Sequence, residues 1–242
     1  MTQSIETILD AARRHCAEDI APNVDAWNAA AVWPRAASDK AGALGLTGLY
    51  APEEFGGQGL PLGEGIRVYE ELGRGDGAYA FALSMHNICT FAGCGYGTDA
   101  FKAAWAKELT SGRKLANFAL TEPQSGSDAT NMYSRAVIND NGTWTINGAK
   151  AWVSLAGEAD IYFTVVKTTD EPGHKDMAMI AIPADTPGLT FGPLYETPSY
   201  NFLPMSEMYM KDVVVREDNI ILPIGQGLQG SLMAIDIARV SI

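Results

Sequence analysis

The spacing of apolar residues changes once along this chain, near residue 114, and that change limits the folds it can adopt. Before Lys114, apolar residues recur every three or four positions, as on the buried face of a helix. After it they alternate with polar residues, as in a half-buried strand. Helices followed by strands predict an α+β fold, whereas a doubly wound sheet needs alternating βαβ units. No G-x-G-x-x-G motif follows a predicted strand, which also argues against a dinucleotide-binding fold.

Helix-starting and helix-stopping residues set the limits of five helical segments in the first part. Residues 78–91 form the most apolar of them and predict a buried helix. The others are a segment ended by Pro22, one from Pro34 to about Gly42, one over 66–72, and one from the N-cap Thr98 to Gly112. The side chains expected to face the core are Ile5, Ile8, Leu9, Ala12, Cys16 and Ile20 in the first segment and Phe101, Ala104, Trp105 and Leu109 in the last.

The second part predicts short strands separated by turn residues. Asn141-Gly142 is a strong hairpin signal between two of them. The predicted strands are 135–139, 143–147, 160–167, 177–183 and 207–215, and further turns are expected at 171–173, 186–188 and 217–219. Several short strands at such spacing indicate a small barrel or sandwich.

Three parts are therefore predicted: an all-α helical domain over 1–113, a β-barrel domain over 114–226, and the start of a C-terminal helical domain over 227–242. The last part returns to helical apolar spacing from Gln229 to Ile242 and has no C-cap residue. We expect a helix that is cut off rather than finished.

The charge and the cysteines narrow the function classes. The 17 Lys and Arg against 29 Asp and Glu give a net charge of -12, which excludes the basic surface that nucleic acid or an anionic membrane requires. The start of the chain does not resemble a secretory signal, and no apolar run approaches the roughly 20 residues of a membrane helix. Three cysteines without C-x-x-C spacing fit a reducing compartment, so a cytoplasmic protein is expected.

Two groups of polar residues imitate functional sites. His86, Cys89 and Cys94 have a spacing that metal ligands can have, but they lie in an apolar helical run without a fourth ligand, so no metal is expected. The adjacent carboxylates at 53–54 and 70–71 point in different directions on any regular element, which argues against an acid–base pair.

Three motifs carry a resemblance to a known family. They are Pro52-Glu-Glu-Phe-Gly-Gly-Gln-Gly59, Phe118-Ala-Leu-Thr-Glu-Pro-Gln-Ser-Gly-Ser-Asp128 and Ile146-Asn-Gly-Ala-Lys-Ala-Trp-Val-Ser154. In this order and spacing they resemble the acyl-CoA dehydrogenase family of flavoproteins, as do residues 97–102 and 212–219. The resemblance implies FAD as cofactor and an architecture of helical domain, β-barrel domain and a second helical bundle that is missing here.

The resemblance also implies cofactor-binding residues in the second motif. The Thr121 hydroxyl and nearby backbone groups, with Phe118 and Leu120, are expected at the pyrimidine edge of FAD. Gly126 and Ser127 are expected in a loop whose backbone N–H groups suit a pyrophosphate. Ser127 is also expected near the thioester arm of the substrate. An ordinary strand-to-loop turn is the alternative that the local sequence leaves open.

The third motif and the last segment supply further expected contacts. In the family, an aromatic residue at the position of Trp152 stacks against the flavin, and a hydroxyl at the position of Ser154 donates to flavin N5. Ser154 replaces the commoner Thr and keeps the donor. Asp236 and Arg239, at i and i+3 of a helix, are expected beside the substrate's pantetheine; an exposed ion pair is the alternative.

The resemblance implies α,β-dehydrogenation of an acyl-CoA to a trans-2-enoyl-CoA, with electrons passed to electron-transferring flavoprotein, in a homo-oligomer. The Glu that removes the α-proton is expected in the missing bundle in most members. A minority place it where this chain has Ala238, which accepts no proton. Two alternatives stay open: a non-catalytic acyl-CoA-binding or assembly subunit, and an acyl-CoA oxidase that uses oxygen.

Overall fold

The computed structural model describes residues 4–169 and 175–240. Helices occupy the first part, as predicted. Their bounds are α1 Ile5–His15, α2 Val24–Ala30, α3 Arg35–Ala43, α4 Leu62–Gly73, α5 Gly77–Tyr96, α6 Asp99–Phe101 and α7 Lys107–Thr110. The Ser4 hydroxyl caps α1 by accepting from the Thr7 N–H, and a π turn continues the helix over Cys16–Ile20. The α2 helix was not predicted; it buries none of its residues, so its apolar pattern is weak.

One expected core position in the last helical segment is wrong. Thr98 is the N-cap, as predicted, and Phe101 and Leu109 are buried, but Ala104 is exposed. A π turn over Lys102–Ala106 separates α6 from α7. Because a π turn takes more residues than an α turn, it shifts the phase of the helix and buries Ala106 instead.

Eight strands follow in the second part. Their bounds are β1 Ala116–Ala119, β2 Arg135–Ile138, β3 Thr143–Ser154, β4 Ile161–Lys167, β5 Met177–Pro183, β6 Leu189–Phe191, β7 Met205–Arg216 and β8 Ile220–Leu222. The hairpin at Asn141-Gly142 joins β2 to β3, with Gly142 at a φ of 78°. The turns at 186–188 and 217–219 are also present, while the one predicted at 171–173 lies outside the described residues. The short strands β6 and β8 were not predicted, whereas β1 is the strand expected to lead into the loop that begins at Leu120.

The strands form one mixed sheet in the order β6-β7-β3-β2-β4-β5-β8, with β1 paired in parallel to β4. The sheet curls on itself. Tyr162 of β4 and Phe191 of β6 have ring centroids only 5.1 Å apart, although three strands separate β4 from β6 along the sheet. Curling encloses a core of apolar side chains from β3, β4, β5 and β7. In the described part of the chain, no pairing joins the end strands β6 and β8.

The α+β fold class is confirmed, and the order of helices, strands and a last helix is as predicted. The last helix, α8, spans Gly227–Val240 and packs against α5 and β5. Within residues 4–169 and 175–240, no helix combines the length and apolar character that crossing a membrane requires. The domain limits at residues 113 and 226 stay predictions.

Candidate functional site

A cleft of about 180 Å³ lies between the sheet and two helices. The ends of β1 and β3 form one wall, and Phe81 and Met85 of α5 with Ile235 of α8 form the other. Five of the seven predicted cofactor residues line it, namely Phe118, Leu120, Thr121, Trp152 and Ser154. The structure therefore brings together residues that lie more than 30 positions apart in the sequence.

The chain leaves β1 along the edge of β3, which sets Leu120 and Thr121 in the cleft wall. The Ala151 N–H donates to the Thr121 carbonyl oxygen at 2.8 Å. Behind this wall, the Lys150 ammonium donates to the Leu120 carbonyl oxygen at 3.3 Å. Both contacts fix the backbone, so the Thr121 side chain is presented from a rigid support.

A buried ion pair anchors this wall from below. The Lys150 Nζ lies 2.8 Å from a carboxylate oxygen of Glu122, and both side chains are almost fully buried. The Glu122 carboxylate also accepts from the backbone N–H groups of Tyr133 and Ser134 at 2.5 and 3.1 Å and from the Gln124 amide. One carboxylate thus ties both ends of the loop 122–134 to β3.

The environment keeps Glu122 ionised. Burial alone raises the pKa of this carboxyl, but the Lys150 ammonium and the N–H donors outweigh it and lower the pKa to about 2. Burial lowers the pKa of Lys150, and the Glu122 carboxylate opposes that change. The pair is charged at neutral pH and holds the loop rather than exchanging protons.

The predicted pyrophosphate-loop residues lie outside the cleft. Gly126 and Ser127 are exposed in the loop that Glu122 anchors, and neither lines the cleft wall. Ser125 turns this loop back, since its backbone N–H and carbonyl pair with those of Glu122. The structure places Gly126 and Ser127 beyond the end of β1, at the exit of the wall that carries Thr121.

Trp152 occupies the cleft edge in a strained backbone conformation. Its φ of 58° is rare for a bulky residue, and a bulge between Lys150 and Val153 turns its side chain outward. The indole is 61% exposed and contacts Tyr195, with ring centroids 4.5 Å apart. Trp144, near the start of the same strand, is buried in the core of the sheet, whereas Trp152 is not.

The hydroxyls of Thr121 and Ser154 are available to a ligand. Both residues line the cleft, and neither hydroxyl makes a hydrogen bond within residues 4–169 and 175–240. Ser154 is 95% buried as a residue, and its hydroxyl retains some exposure at the cleft. Two unpaired hydroxyls and an indole around a narrow, mostly apolar cleft fit a flat heteroaromatic group with polar edges.

The α8 residues contribute differently. Asp236 and Arg239 share a face of the helix, as predicted, and form an exposed pair with 3.6 Å between Asp236 Oδ1 and an Arg239 guanidinium nitrogen. Ala238 is buried against Ile88 of α5 and does not line the cleft. Among the side chains of α8 that the structure describes, that of Ile235 alone lines the cleft.

Sequence reasoning missed three site residues. Glu122 and Lys150 lie inside recognised motifs, and Lys150 falls at an inward position of the alternation that contains Trp144 and Ile146, which was a usable signal. Asn117 lies in strand β1 and lines the cleft while 1% exposed. A polar Asn in the apolar run 115–120 was its signal, because Asn is depleted in strands.

His86 has a structural position. Its Nδ1 accepts from the Ala116 N–H at 3.0 Å, and its Nε2 lies 3.0 Å from the Leu109 carbonyl oxygen. Burial lowers its pKa to about 4, so the imidazole is neutral and carries its proton on Nε2. Both nitrogens are therefore used in joining α5 to α7 and β1.

The protein thus belongs to the class of α+β proteins in which a helical part packs on a curled sheet and a cleft lies where the two meet. The sequence matches the descriptions "Acyl-CoA dehydrogenase, N-terminal domain" over residues 2–113 and "Acyl-CoA dehydrogenase, middle domain" over residues 117–213. The chain belongs to the acyl-CoA dehydrogenase family.

Individual relatives agree with this family. Isobutyryl-CoA dehydrogenase, mitochondrial, from Dictyostelium discoideum is 32% identical over 93% of this chain and 54% of its own length. Butyryl-CoA dehydrogenase from Megasphaera elsdenii superposes with a TM-score of 0.93 at 29% identity, covering 100% of this chain and 64% of that one. A glutaryl-CoA dehydrogenase from Mycobacterium smegmatis in complex with FADH2 superposes with a TM-score of 0.88 at 26% identity. That match covers 99% of this chain and 60% of the other. The chain thus spans between about half and two thirds of the length of these proteins.

Proposed function

We propose that the cleft holds the ring system of FAD and that the protein serves the α,β-dehydrogenation of an acyl-CoA thioester to a trans-2-enoyl-CoA. The observation that carries the proposal is the convergence of Thr121, Trp152 and Ser154 on one cleft, with two hydroxyls that have no partner in the described chain. Membership of the acyl-CoA dehydrogenase family supports it.

Each wall residue has a role that its chemistry suits. The Thr121 hydroxyl and the backbone after Phe118 and Leu120 bind the polar edge of the ring. The Ser154 hydroxyl donates to N5, and the Trp152 indole covers a face of the ring. FAD bound here would supply a hydride acceptor at N5 for the β-hydrogen of the substrate, and the Ser154 hydroxyl would stabilise the negative charge of the reduced ring.

The loop and α8 supply the remaining contacts of the proposal. Gly126 and Ser127 offer exposed backbone N–H groups and a hydroxyl to the pyrophosphate of FAD, and the Ser127 hydroxyl also contacts the thioester arm in this proposal. Asp236 and Arg239 border the pantetheine. Their ion pair is exposed and contributes little to stability. Both side chains can therefore give up this pair and contact the substrate with only a small loss of free energy.

The α-proton requires a carboxylate base, and none lies among the described residues of the cleft wall. Ala238, at one family position for that base, is apolar and buried. This observation favours a second candidate function, a non-catalytic subunit that binds FAD or acyl-CoA and assembles with a partner. Under the first proposal the base comes from outside the described residues.

The partners follow from the family. We propose electron-transferring flavoprotein as electron acceptor and a homo-oligomeric assembly. A cytoplasmic location is proposed because Cys16, Cys89 and Cys94 are all free thiols, which a reducing compartment maintains.

FAD titration of the purified chain, followed by flavin absorbance and fluorescence, tests the cofactor proposal. We expect saturable binding that Ser154→Ala and Thr121→Val each weaken about tenfold, as loss of one hydrogen bond predicts. Ser111→Ala, far from the cleft wall, is the matched control and binds as the wild type does. A wild-type chain that binds no FAD contradicts the proposal.

An anaerobic acyl-CoA titration of the FAD-bound chain tests whether this chain carries out the dehydrogenation itself. Bleaching of the flavin bands by an acyl-CoA supports dehydrogenation by this chain and contradicts the non-catalytic subunit. Flavin bands that shift without bleaching show that the chain binds the substrate and supplies no base of its own, which is the result that the non-catalytic subunit predicts and that the first proposal also predicts if the base lies outside this chain.

A further inference from the structure

The backbone over residues 152–155 presents both the Trp152 indole and the Ser154 hydroxyl, and it is strained at two points. Trp152 and Leu155 have φ values of 58° and 50°, in the left-handed region that side chains other than glycine seldom adopt. Such a conformation persists only where neighbouring groups hold it.

Two neighbouring side chains of the sheet hold this segment. Asn117 of β1 and Tyr162 of β4 are partners in the parallel register, so their side chains leave the same face of the sheet. The Asn117 Nδ2 donates to the Ser154 carbonyl oxygen at 2.5 Å, and the Tyr162 hydroxyl donates to the Leu155 carbonyl oxygen at 2.7 Å. Consecutive carbonyls are thus fixed from one side.

The Asn117 amide uses its nitrogen for that contact and leaves its oxygen without a hydrogen-bond donor. Its Nδ2 also lies 3.3 Å from the Phe118 carbonyl oxygen, so two acceptors require the nitrogen at this position. The Oδ1 is buried and has no hydrogen-bond partner. Because a buried acceptor without a donor is destabilising, an apolar side chain of similar volume would serve packing better.

We propose that Asn117 is a positioning residue that sets the Ser154 hydroxyl toward the bound flavin. The inference rests on the proposed function, since it is FAD that the Ser154 hydroxyl would meet. Asn117 acts through the Ser154 backbone carbonyl, and the cleft wall that it joins is the one that carries Thr121. Loss of the Asn117 donor would release the segment 152–155 from β1. FAD binding would then weaken, because the Ser154 hydroxyl would no longer be held in position.

Asn117→Asp tests the donor directly. A protonated Asp donates to the Ser154 carbonyl as the amide does, whereas an ionised Asp repels that oxygen; burial without donors raises the pKa of such a carboxyl, so both forms are accessible. We expect the FAD dissociation constant of Asn117→Asp to lie within threefold of wild type at pH 6 and to be at least tenfold weaker at pH 9. Asn117→Leu has a similar volume and no titratable group. We expect it to bind FAD at least tenfold more weakly than wild type at both pH 6 and pH 9.

A double-mutant cycle with Ser154→Ala isolates the route of the effect. If Asn117 acts through the Ser154 hydroxyl, Asn117→Leu raises the FAD dissociation constant about tenfold when Ser154 is present. In the Ser154→Ala background the same substitution raises it less than threefold. The flavin absorption spectrum of Asn117→Leu then matches that of Ser154→Ala. Circular dichroism and thermal unfolding confirm that each variant is folded.

The outcomes separate the two proposals. Wild-type FAD binding with unchanged affinity in Asn117→Asp at pH 9, or full additivity in the cycle, overturns the positioning role and leaves the cofactor proposal standing. A wild-type chain that binds no FAD overturns both.

Discussion

At the scale of single residues, the buried ion pair of Glu122 and Lys150 supports the cleft wall from behind. Glu122 and Lys150 neutralise each other, and the carboxylate also accepts two backbone N–H groups. Such a pair contributes little net stability compared with apolar residues, but removal of one partner leaves the other charged and buried. Its role is therefore to fix geometry, namely the path of the loop 122–134.

Lys150→Met should destabilise the protein by about 3 kcal/mol or more, because the Glu122 carboxylate loses its counter-ion in a buried site. Urea unfolding at pH 7 measures this. The double variant Glu122→Gln/Lys150→Met should recover at least half of the loss. Arg239→Ala is the matched control: it breaks an exposed ion pair and should change the free energy of unfolding by less than about 0.5 kcal/mol. An equal loss in the single and double variants would contradict the account.

His86 makes folding sensitive to acid. Its folded-state pKa, about 4, is below the ordinary value of 6.5, so the unfolded chain binds the proton more readily. The stability that the neutral imidazole contributes is fully present above pH 6.5 and is lost as pH falls toward 4, in total about 3 kcal/mol. In His86→Gln, whose amide can make both hydrogen bonds without titrating, this part of the pH dependence should be absent. Free energies of unfolding of both proteins between pH 4 and 7.5 check it, and parallel pH curves would refute it.

At the scale of elements, β3 changes character along its length. Its start, over 143–146, pairs regularly with β2 and β7 and buries Trp144 and Ile146. Beyond Ile146 the pairing with β7 shifts register twice, before Gly148 and between Lys150 and Val153, and the end that carries the strained Trp152 reaches the cleft. Regular pairing stabilises the barrel, and irregular pairing re-aims side chains at the site.

The strain at Trp152 can be measured with a pair of variants. Trp152→Ala and Trp152→Gly both remove the indole, but only Ala keeps a Cβ at a positive φ. We expect Trp152→Gly to be more stable than Trp152→Ala by about 1 kcal/mol in urea unfolding. Both variants should bind FAD with the same reduced affinity, because both lack the ring. A less stable Gly variant would show that the segment relaxes once the indole is gone.

At the scale of the whole molecule, α8 leaves apolar surface uncovered. Its Leu232 and Met233 are 46% and 43% exposed. Met233 lines two further clefts together with Tyr96 of α5, which is 48% exposed. Apolar surface gathered in one place favours association.

Met233→Glu should therefore reduce self-association of the purified chain without lowering its stability. Sedimentation velocity over a range of protein concentrations measures the first and thermal unfolding the second. Val137→Glu, on the exposed face of β2, is the matched control, since Val137 is 62% exposed. If only the Val137 variant becomes monomeric, the associating surface lies on the sheet and not on α8.

How far the sequence predicted the fold depended on the length of each element. Long periodic segments such as α5 and β5 were predicted within a few residues. The three-residue strands β6 and β8 were not, because so short a run shows no period. Ala104 was misplaced because regular α-helical spacing was assumed across residues 102–106, where the helix makes a π turn.

By itself the sequence determined the two parts of the chain, the order of their elements and the motifs that contain Thr121, Trp152 and Ser154, since these follow from local periodicity and from residue types at fixed spacing. The tertiary structure alone decided which of those residues meet. The cleft forms because the sheet curls and β1 adds to β4 in parallel, a pairing between residues 45 positions apart that no local pattern contains. It also decided that Asn117, Glu122 and Lys150 support the cleft, because their roles come from burial and from hydrogen bonds across strands.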